Sequence, residues 1–339
     1  GDTLTFAAES PSSIGSTYEL YIDDAYFRLD ASVPQLAEAT IGDPIEMRFS
    51  IPKNILQKDF FTSILKLFNL LVDEDNFKEK HLIITPYVDY YADKEDWSDK
   101  VDRSKPVIIK PMSELNARYY QFKFKSDSDY YNDLYKKRYN EGYGDRIFDS
   151  AYEFAKETDI VEVIFAPTPL VGYSAEEKVV GTVFKQNNNV EEKVDYVIRI
   201  MLAKKVSGVA SWDIMDGVSV LHSDTNYPYA GHFNDPDAPA NDLNFGAPKE
   251  LFFVLVSGGI NVNQFNVYYS PYMAEITDKD SRLVTCNLKL SDIDIFNLDF
   301  SKFKFIDGGL YRISRIIDFT PGANETTKAE LLRVIYTTY

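Results

Sequence analysis

Alternation of apolar and polar positions organises the last eighty residues of the chain. Across residues 282–290, Leu283, Thr285, Asn287 and Lys289 alternate with Val284, Cys286, Leu288 and Leu290. That period of two is what a strand with one buried face requires. Residues 265–271, 310–319 and 326–335 read as further strands, the last two separated by a Pro-Gly turn. The chain is therefore expected to close, over residues 259–339, in a small antiparallel barrel or meander.

Earlier segments mix both periods. Residues 17–22 and 45–50 alternate as strands. Over residues 59–71, Phe60, Phe61, Ile64, Leu65, Leu67, Phe68 and Leu71 recur at helical spacing and leave Lys66 and Asn69 to water, as in a helix packed on a sheet. Leu82-Ile83-Ile84-Thr85-Pro86 reads as a buried strand, and residues 87–102 as a charged loop in which Trp97 either anchors the body or faces a partner. Strands follow at 107–109 and 118–125. Helices are predicted over 128–140 and 145–158, separated by Glu141-Gly142-Tyr143-Gly144, whose glycines permit positive φ. A strand at 159–165 ends before Pro167 and Pro169. Residues 172–194 are polar and read as the main boundary or an exposed loop. Strands are expected at 196–203, within 207–221 and at 251–256, around an irregular stretch at 222–248.

These elements define an α+β, strand-rich class, with small β-barrel or meander domains flanking a mixed α/β middle portion. Residues 1–50 form an N-terminal arm and the strands of a β domain, and 51–171 a mixed α/β domain. Residues 172–258 form a β domain with long loops, and 259–339 the closing antiparallel module.

Composition narrows the reading. At 339 residues the chain is expected to hold two or three domains. Aromatic content is 14 %, with 24 Tyr and 23 Phe, residues that favour strands and supply stiff contact area. The formal charge of −17 argues against a nucleic-acid or anionic-membrane partner, since both need a basic footprint. One cysteine, Cys286, excludes an internal disulfide and sits where a small core residue belongs. No apolar run approaches the roughly 18 residues of a membrane span. The first residue is Gly1 rather than Met, which reads as a trimmed start.

Chemistry-bearing motifs are sparse. His81, His222 and His232 read as surface or loop residues. With one cysteine they offer no zinc ligand set, and no Gly-x-Ser-x-Gly or Cys/His signature accompanies them. Gly308-Gly309 and Gly258-Gly259 fall at strand ends, where tight turns explain them. Carboxylate groupings such as Asp213 with Asp216, or Asp127, Asp129 and Asp133, are expected by chance among 53 acidic residues. Asp235, Asp237 and Asp242 offer the hard oxygen ligands that calcium prefers, without the spacing of a calcium hand. No catalytic residue and no cofactor is assigned.

Several segments, taken in order, resemble a family of tail structural proteins of phages and prophages of Bacteroidota. They begin with Ile51-Pro52-Lys53 and the helix from Asp59, followed by Asp96-Trp97-Ser98-Asp99-Lys100-Val101-Asp102 and Phe122-Lys123-Phe124-Lys125-Ser126-Asp127-Ser128-Asp129. Tyr143-Gly144 and Phe165-Ala166-Pro167-Thr168-Pro169-Leu170 come next. Tyr269-Ser270-Pro271, Leu290-Ser291-Asp292-Ile293-Asp294, Tyr311-Arg312-Ile313 and Thr327-Lys328-Ala329-Glu330-Leu331 complete the set. The resemblance implies a non-enzymatic baseplate-hub or tail-tip protein located in the virion tail. It would assemble with copies of itself in a ring and with other tail proteins, without touching nucleic acid or membrane. A glycan- or cell-surface-binding module stands as a second reading, and a glycan hydrolase with two opposed carboxylates as a third.

Overall fold

The computed structural model describes residues 19–22, 25–28, 55–75, 78–155, 157–173, 178–183, 196–216, 218–255, 261–323 and 325–335. The predicted strand at 45–50 and Gly258-Gly259 lie outside them. The chain forms two compact units and passes between them after residues 61, 123, 144, 163 and 263. Both units are mixed α/β and strand-rich, and among the described residues no sheet closes into a barrel.

The unit of residues 62–123, 145–163 and 264–339 is built on an open six-stranded sheet. Its strands are β5 (Lys94–Asp96), β6 (Ile108–Pro111), β14 (Arg282–Leu288), β15 (Phe303–Ile306), β16 (Gly309–Ile317) and β17 (Thr327–Arg333), in the order β5-β15-β16-β17-β14-β6. All neighbours are antiparallel except the β5–β15 pair. The apolar phase read in residues 282–290 is realised, while Thr285 on the polar phase is buried as well. Val284, Cys286, Leu288 and Leu290 join Ile306, Ile313, Ala329 and Leu331 in one core, and Trp97 anchors its loop there. Cys286 lies opposite Ala329, which lets the small thiol fill the layer without strain.

Asp307 and Gly308 connect β15 to β16 with φ values of 48° and 85°. Two successive positive φ values match a two-residue turn whose twist suits a right-twisted hairpin. A Cβ at Gly308 would meet nothing within 4 Å, so Gly308→Ala should cost about 1 kcal/mol through backbone strain alone. Thermal unfolding of that variant measures it.

Two smaller sheets share this unit. β3 (Leu70–Glu74) pairs with β4 (Leu82–Pro86), and α2 (Tyr87–Tyr90) follows directly. β7 (Tyr119–Lys123) is flanked by antiparallel β8 (Arg146–Asp149) and parallel β9 (Thr158–Glu162). Here the expectation of a helix over 145–158 is overturned: β8 and β9 bracket a turn, with Ala151 at φ 59°. A left-handed alanine stops helix propagation. The strand read at 265–271 is also replaced. A π-helical turn, Phe265–Tyr269, runs into α4 (Ser270–Ile276). Phe265, Tyr269, Met273 and Ile276 are all buried, and their spacing of four, four and three is helical. α5 (Asp292–Phe296) opens on a capping box between Ser291 and Asp294.

The unit of residues 1–61, 124–144 and 164–263 contains a four-stranded sheet, β13-β12-β1-β2. β1 (Glu19–Ile22) and β2 (Ala25–Arg28) pair with each other, and β1 meets the long hairpin of β12 (Leu202–Asp216) and β13 (Ser219–Gly231). β10 (Leu170–Tyr173) and β11 (Lys178–Gly181) form a separate ribbon. Leu170, Val179, Val180, Val206, Tyr227, Tyr229 and Phe233 make the core. α3 (Tyr130–Tyr139) is capped by the Asp129 side chain and ends at Asn140 in the left-handed conformation. α1 (Gln57–Leu67) straddles the division between the units and ends four residues before the predicted boundary, because Leu70 and Leu71 enter β3.

Candidate functional site

The largest departure from the expected burial is an aliphatic surface. β4 was expected to lie inside; instead Leu82, Ile83 and Ile84 are 51 %, 47 % and 44 % exposed. The strand pairs only with β3, so neither face gains a covering layer within its sheet. Cross-strand register sets Val72 opposite Ile84 and Glu74 opposite Leu82. Val72, Leu82 and Ile84 therefore share one face, and all three are exposed. A lone two-stranded ribbon is marginal in water. This one is braced at both ends: the Asp75 amide donates to the His81 carbonyl at 2.9 Å, and the Tyr87 amide to the Asn69 carbonyl at 2.9 Å. The Tyr90 hydroxyl also donates to Asp73 Oδ1 at 2.9 Å.

β6 supplies a second apolar strand, at the edge of the six-stranded sheet. Val107, Ile108 and Ile109 are all exposed there. Pro106 and Pro111 bracket the run, and Lys110 follows it. Prolines and a lysine on an edge limit uncontrolled strand addition, so the surface suits side-chain docking better than a long backbone ladder.

Buried charge holds the frame of the same unit. Arg312 is ion-paired with Glu275, both almost wholly buried. Its guanidinium lies 4.1 Å from the Tyr91 ring centroid, 4.8 Å from that of Tyr87 and 5.4 Å from that of Phe303. The Tyr87 hydroxyl donates to Glu275 Oε2 at 2.9 Å, which ties the residue that follows β4 to α4. Aromatic faces and a hydrogen-bonded carboxylate together make a buried arginine tolerable. Lys304 is likewise enclosed, 2.8 Å from Glu95 Oε2 and 4.7 Å from the Trp97 ring centroid.

The other unit has its own buried network. Arg199 Nη2 contacts Asp127 Oδ2 at 2.5 Å and Asp129 Oδ2 at 2.9 Å, with all three side chains buried. Arg199 Nη1 and Asn132 Nδ2 both donate to the Pro167 carbonyl. One residue on, the Thr168 amide donates to His232 Nε2 at 3.1 Å. His232 Nδ1 faces Asn244 Oδ1 at 2.7 Å, so the proton sits on Nδ1 of a neutral ring. His232 is therefore core, not the loop or surface residue the sequence implied. Gly144 makes room for this pairing, since a Cβ there would lie 2.1 Å from Asn244 Oδ1.

The sequence-derived oxygen ligands separate by environment. Asp235 is ion-paired with Lys204 and accepts the Asp237 amide at 3.0 Å. Asp237 is exposed. Asp242 is fully buried and accepts the Asn244 amide at 2.8 Å, and burial pushes its carboxyl well above the usual range. Among the described residues, no three His, Cys, Asp or Glu side chains gather as a metal site. Asp127 and Asp129 belong to the Arg199 network, Asp133 to a helix-surface pair with Lys137, and Asp213 accepts from the Ser223 hydroxyl at 2.5 Å. Among the described residues, no helix is long and apolar enough to cross a membrane. Comparison with family models, curated proteins and solved structures returns no match.

Proposed function

We propose that this chain is a structural docking protein of a phage or prophage tail, of baseplate-hub or tail-tip type. It works by associating with copies of itself and with other tail proteins. The observation that carries this reading is the aliphatic ribbon, with Leu82, Ile83 and Ile84 held toward solvent on a braced strand. Contiguous exposed aliphatic side chains mark interaction surfaces, and the β6 edge adds a second apolar strand in the same unit. The ordered segments that resemble tail proteins supply the biological setting. The net charge of −17 suits a particle whose walls must not bind passing DNA phosphates.

Sedimentation of the full chain over a concentration series tests the reading. The wild type should form a discrete oligomer, and Ile84→Glu should weaken association about a hundredfold or more by burying a charge in the contact. Far-UV circular dichroism checks that the variant keeps its fold. A wild type that stays monomeric at every concentration, or a folded variant that assembles as well as wild type, overturns it.

A further inference from the structure

The two apolar surfaces of the unit of residues 62–123, 145–163 and 264–339 differ in charge. On the ribbon, Val72, Leu82 and Ile84 share their face with Glu74, which stands opposite Leu82 and is exposed. Asp73 belongs to the other face, where it accepts from Tyr90. Lys78, Glu79 and Lys80 lie in the turn beyond the paired residues. Glu74 is therefore the charge set among the aliphatic side chains.

The β6 surface carries the opposite sign. Ile108 lies opposite Thr285, Thr285 opposite Glu330, and Glu330 opposite Arg315. These residues share the face of the six-stranded sheet that Val284 and Leu331 do not. Lys110 and Lys328, two residues along β6 and β17, join that face, and both are exposed. Arg315 is engaged with Glu330 through contacts of 2.6 and 3.1 Å. Lys328 and Lys110 are near enough to join Arg315 in holding the Glu330 carboxyl below its usual range. Three cations thus surround one carboxylate beside Ile108, in a chain whose net charge is −17. The two surfaces also lie toward opposite edges of one frame. β4 runs directly into α2, and the Tyr91 ring that follows stacks on Phe303 of β15 at 5.2 Å. The ribbon is rooted near the β5–β15 edge, whereas β6 closes the other edge, four strand spacings of about 4.8 Å from β15.

We propose that the ribbon of one copy of this chain docks on the β6 face of the next, a head-to-tail contact between two different surfaces. The proposal rests on the docking reading and names the occupant of that surface. Each side contributes exposed aliphatic side chains, and Glu74 meets the lysine-bearing face. A two-fold contact would set each surface against its own copy. Glu74 would then face Glu74 on the ribbon, or Lys110 and Lys328 the same lysines on β6, and like charges brought together oppose association. A contact between unlike surfaces escapes that cost and lets each copy hold two neighbours.

Two full-chain variants, sedimented alone and mixed, test the contact. Ile84→Glu spoils the ribbon and Ile108→Glu the β6 face, both at exposed positions, and far-UV circular dichroism checks their folds. Each alone should associate about a hundredfold or more weakly than wild type. Mixed in equal amounts they should form a complex of two chains and nothing larger, because one copy keeps an intact β6 face and the other an intact ribbon. Lys110→Glu should weaken assembly about tenfold by placing a like charge before Glu74. If folded Ile108→Glu or Lys110→Glu assembles as well as wild type while Ile84→Glu does not, this contact is wrong and the docking reading stands. The same holds if the mixture stays monomeric up to the solubility limit. A wild type that is monomeric at every concentration overturns both.

Discussion

Replacing Arg199 with alanine should destabilise its unit by about 3–5 kcal/mol, the range for removing one partner from a buried ion pair. The guanidinium joins three separated stretches: Asp127 and Asp129 before α3, the Pro167 carbonyl, and Arg199's own segment. Removing it leaves two buried carboxylates facing each other with no cation between them. Asp129 keeps its role as cap of α3, where the helix dipole still favours its charge. Asp127 keeps the Val197 amide at 3.1 Å. Neither replaces a full positive charge. Arg199→Lys should recover only part of the loss, because one ammonium cannot span two carboxylates and a carbonyl in the planar fork of a guanidinium. Asp127→Asn should cost less than Arg199→Ala, since it leaves a matched pair of charges. Urea unfolding followed by hydrogen exchange in residues 124–144 and 164–216 measures all three. A loss below about 1 kcal/mol for Arg199→Ala, the range of a surface pair, would mean the network is not structural in this way.

That network marks the limit of what the sequence disclosed. Alternation in residues 282–290 survives into β14 on the face of Val284, Cys286, Leu288 and Leu290, whereas Thr285 on the other phase is buried too, so period two marked one face of the strand and not the state of the other. β4 carries a continuous aliphatic run, which is what a strand buried on both faces also shows, so local pattern could not reveal that it lies open. At 265–276 a Tyr- and Phe-rich run favoured strand by propensity while four-residue spacing favoured helix; packing of Phe122 against Phe265 and Tyr269 decided for helix. Asp127, Asp129, Arg199 and His232 stand up to 105 positions apart, as 232 − 127 shows. No spacing rule brings them together. A usable signal was the clustering of Pro167, Thr168 and Pro169 after a strand, which marks backbone whose carbonyls need side-chain donors. The pairing of β7 with β9 was equally hidden: both segments read as strands, and nothing local says that they lie side by side in parallel.

Acid acts on the same unit through two buried groups of opposite sign, His232 and Asp242. Burial lowers the imidazole from its ordinary 6.5 to about 4; the Asn244 hydrogen bond opposes that shift and the Arg199 charge adds to it. The unfolded chain therefore takes up a proton below pH 6.5, whereas the folded chain does so only near pH 4. Stability from the neutral ring is complete above 6.5 and declines as pH falls toward 4, by up to about 3 kcal/mol. Asp242 acts with the opposite sign. Its carboxyl is raised by burial, so the folded chain holds a proton that the unfolded chain releases, and acidification favours the fold until the unfolded carboxylate is also protonated. Wild type reports the difference of the two. Asp242→Asn mimics the protonated acid and removes the opposing contribution, so its stability should drop more steeply than wild type between pH 6.5 and 4.5. His232→Gln leaves the Asp242 contribution unopposed, so its stability should rise as pH falls over the same window. Urea midpoints at pH 7.5, 6.5, 5.5 and 4.5 resolve the slopes. If Asp242→Asn and His232→Gln fall equally with pH, proton uptake by His232 is not what couples this core to acid.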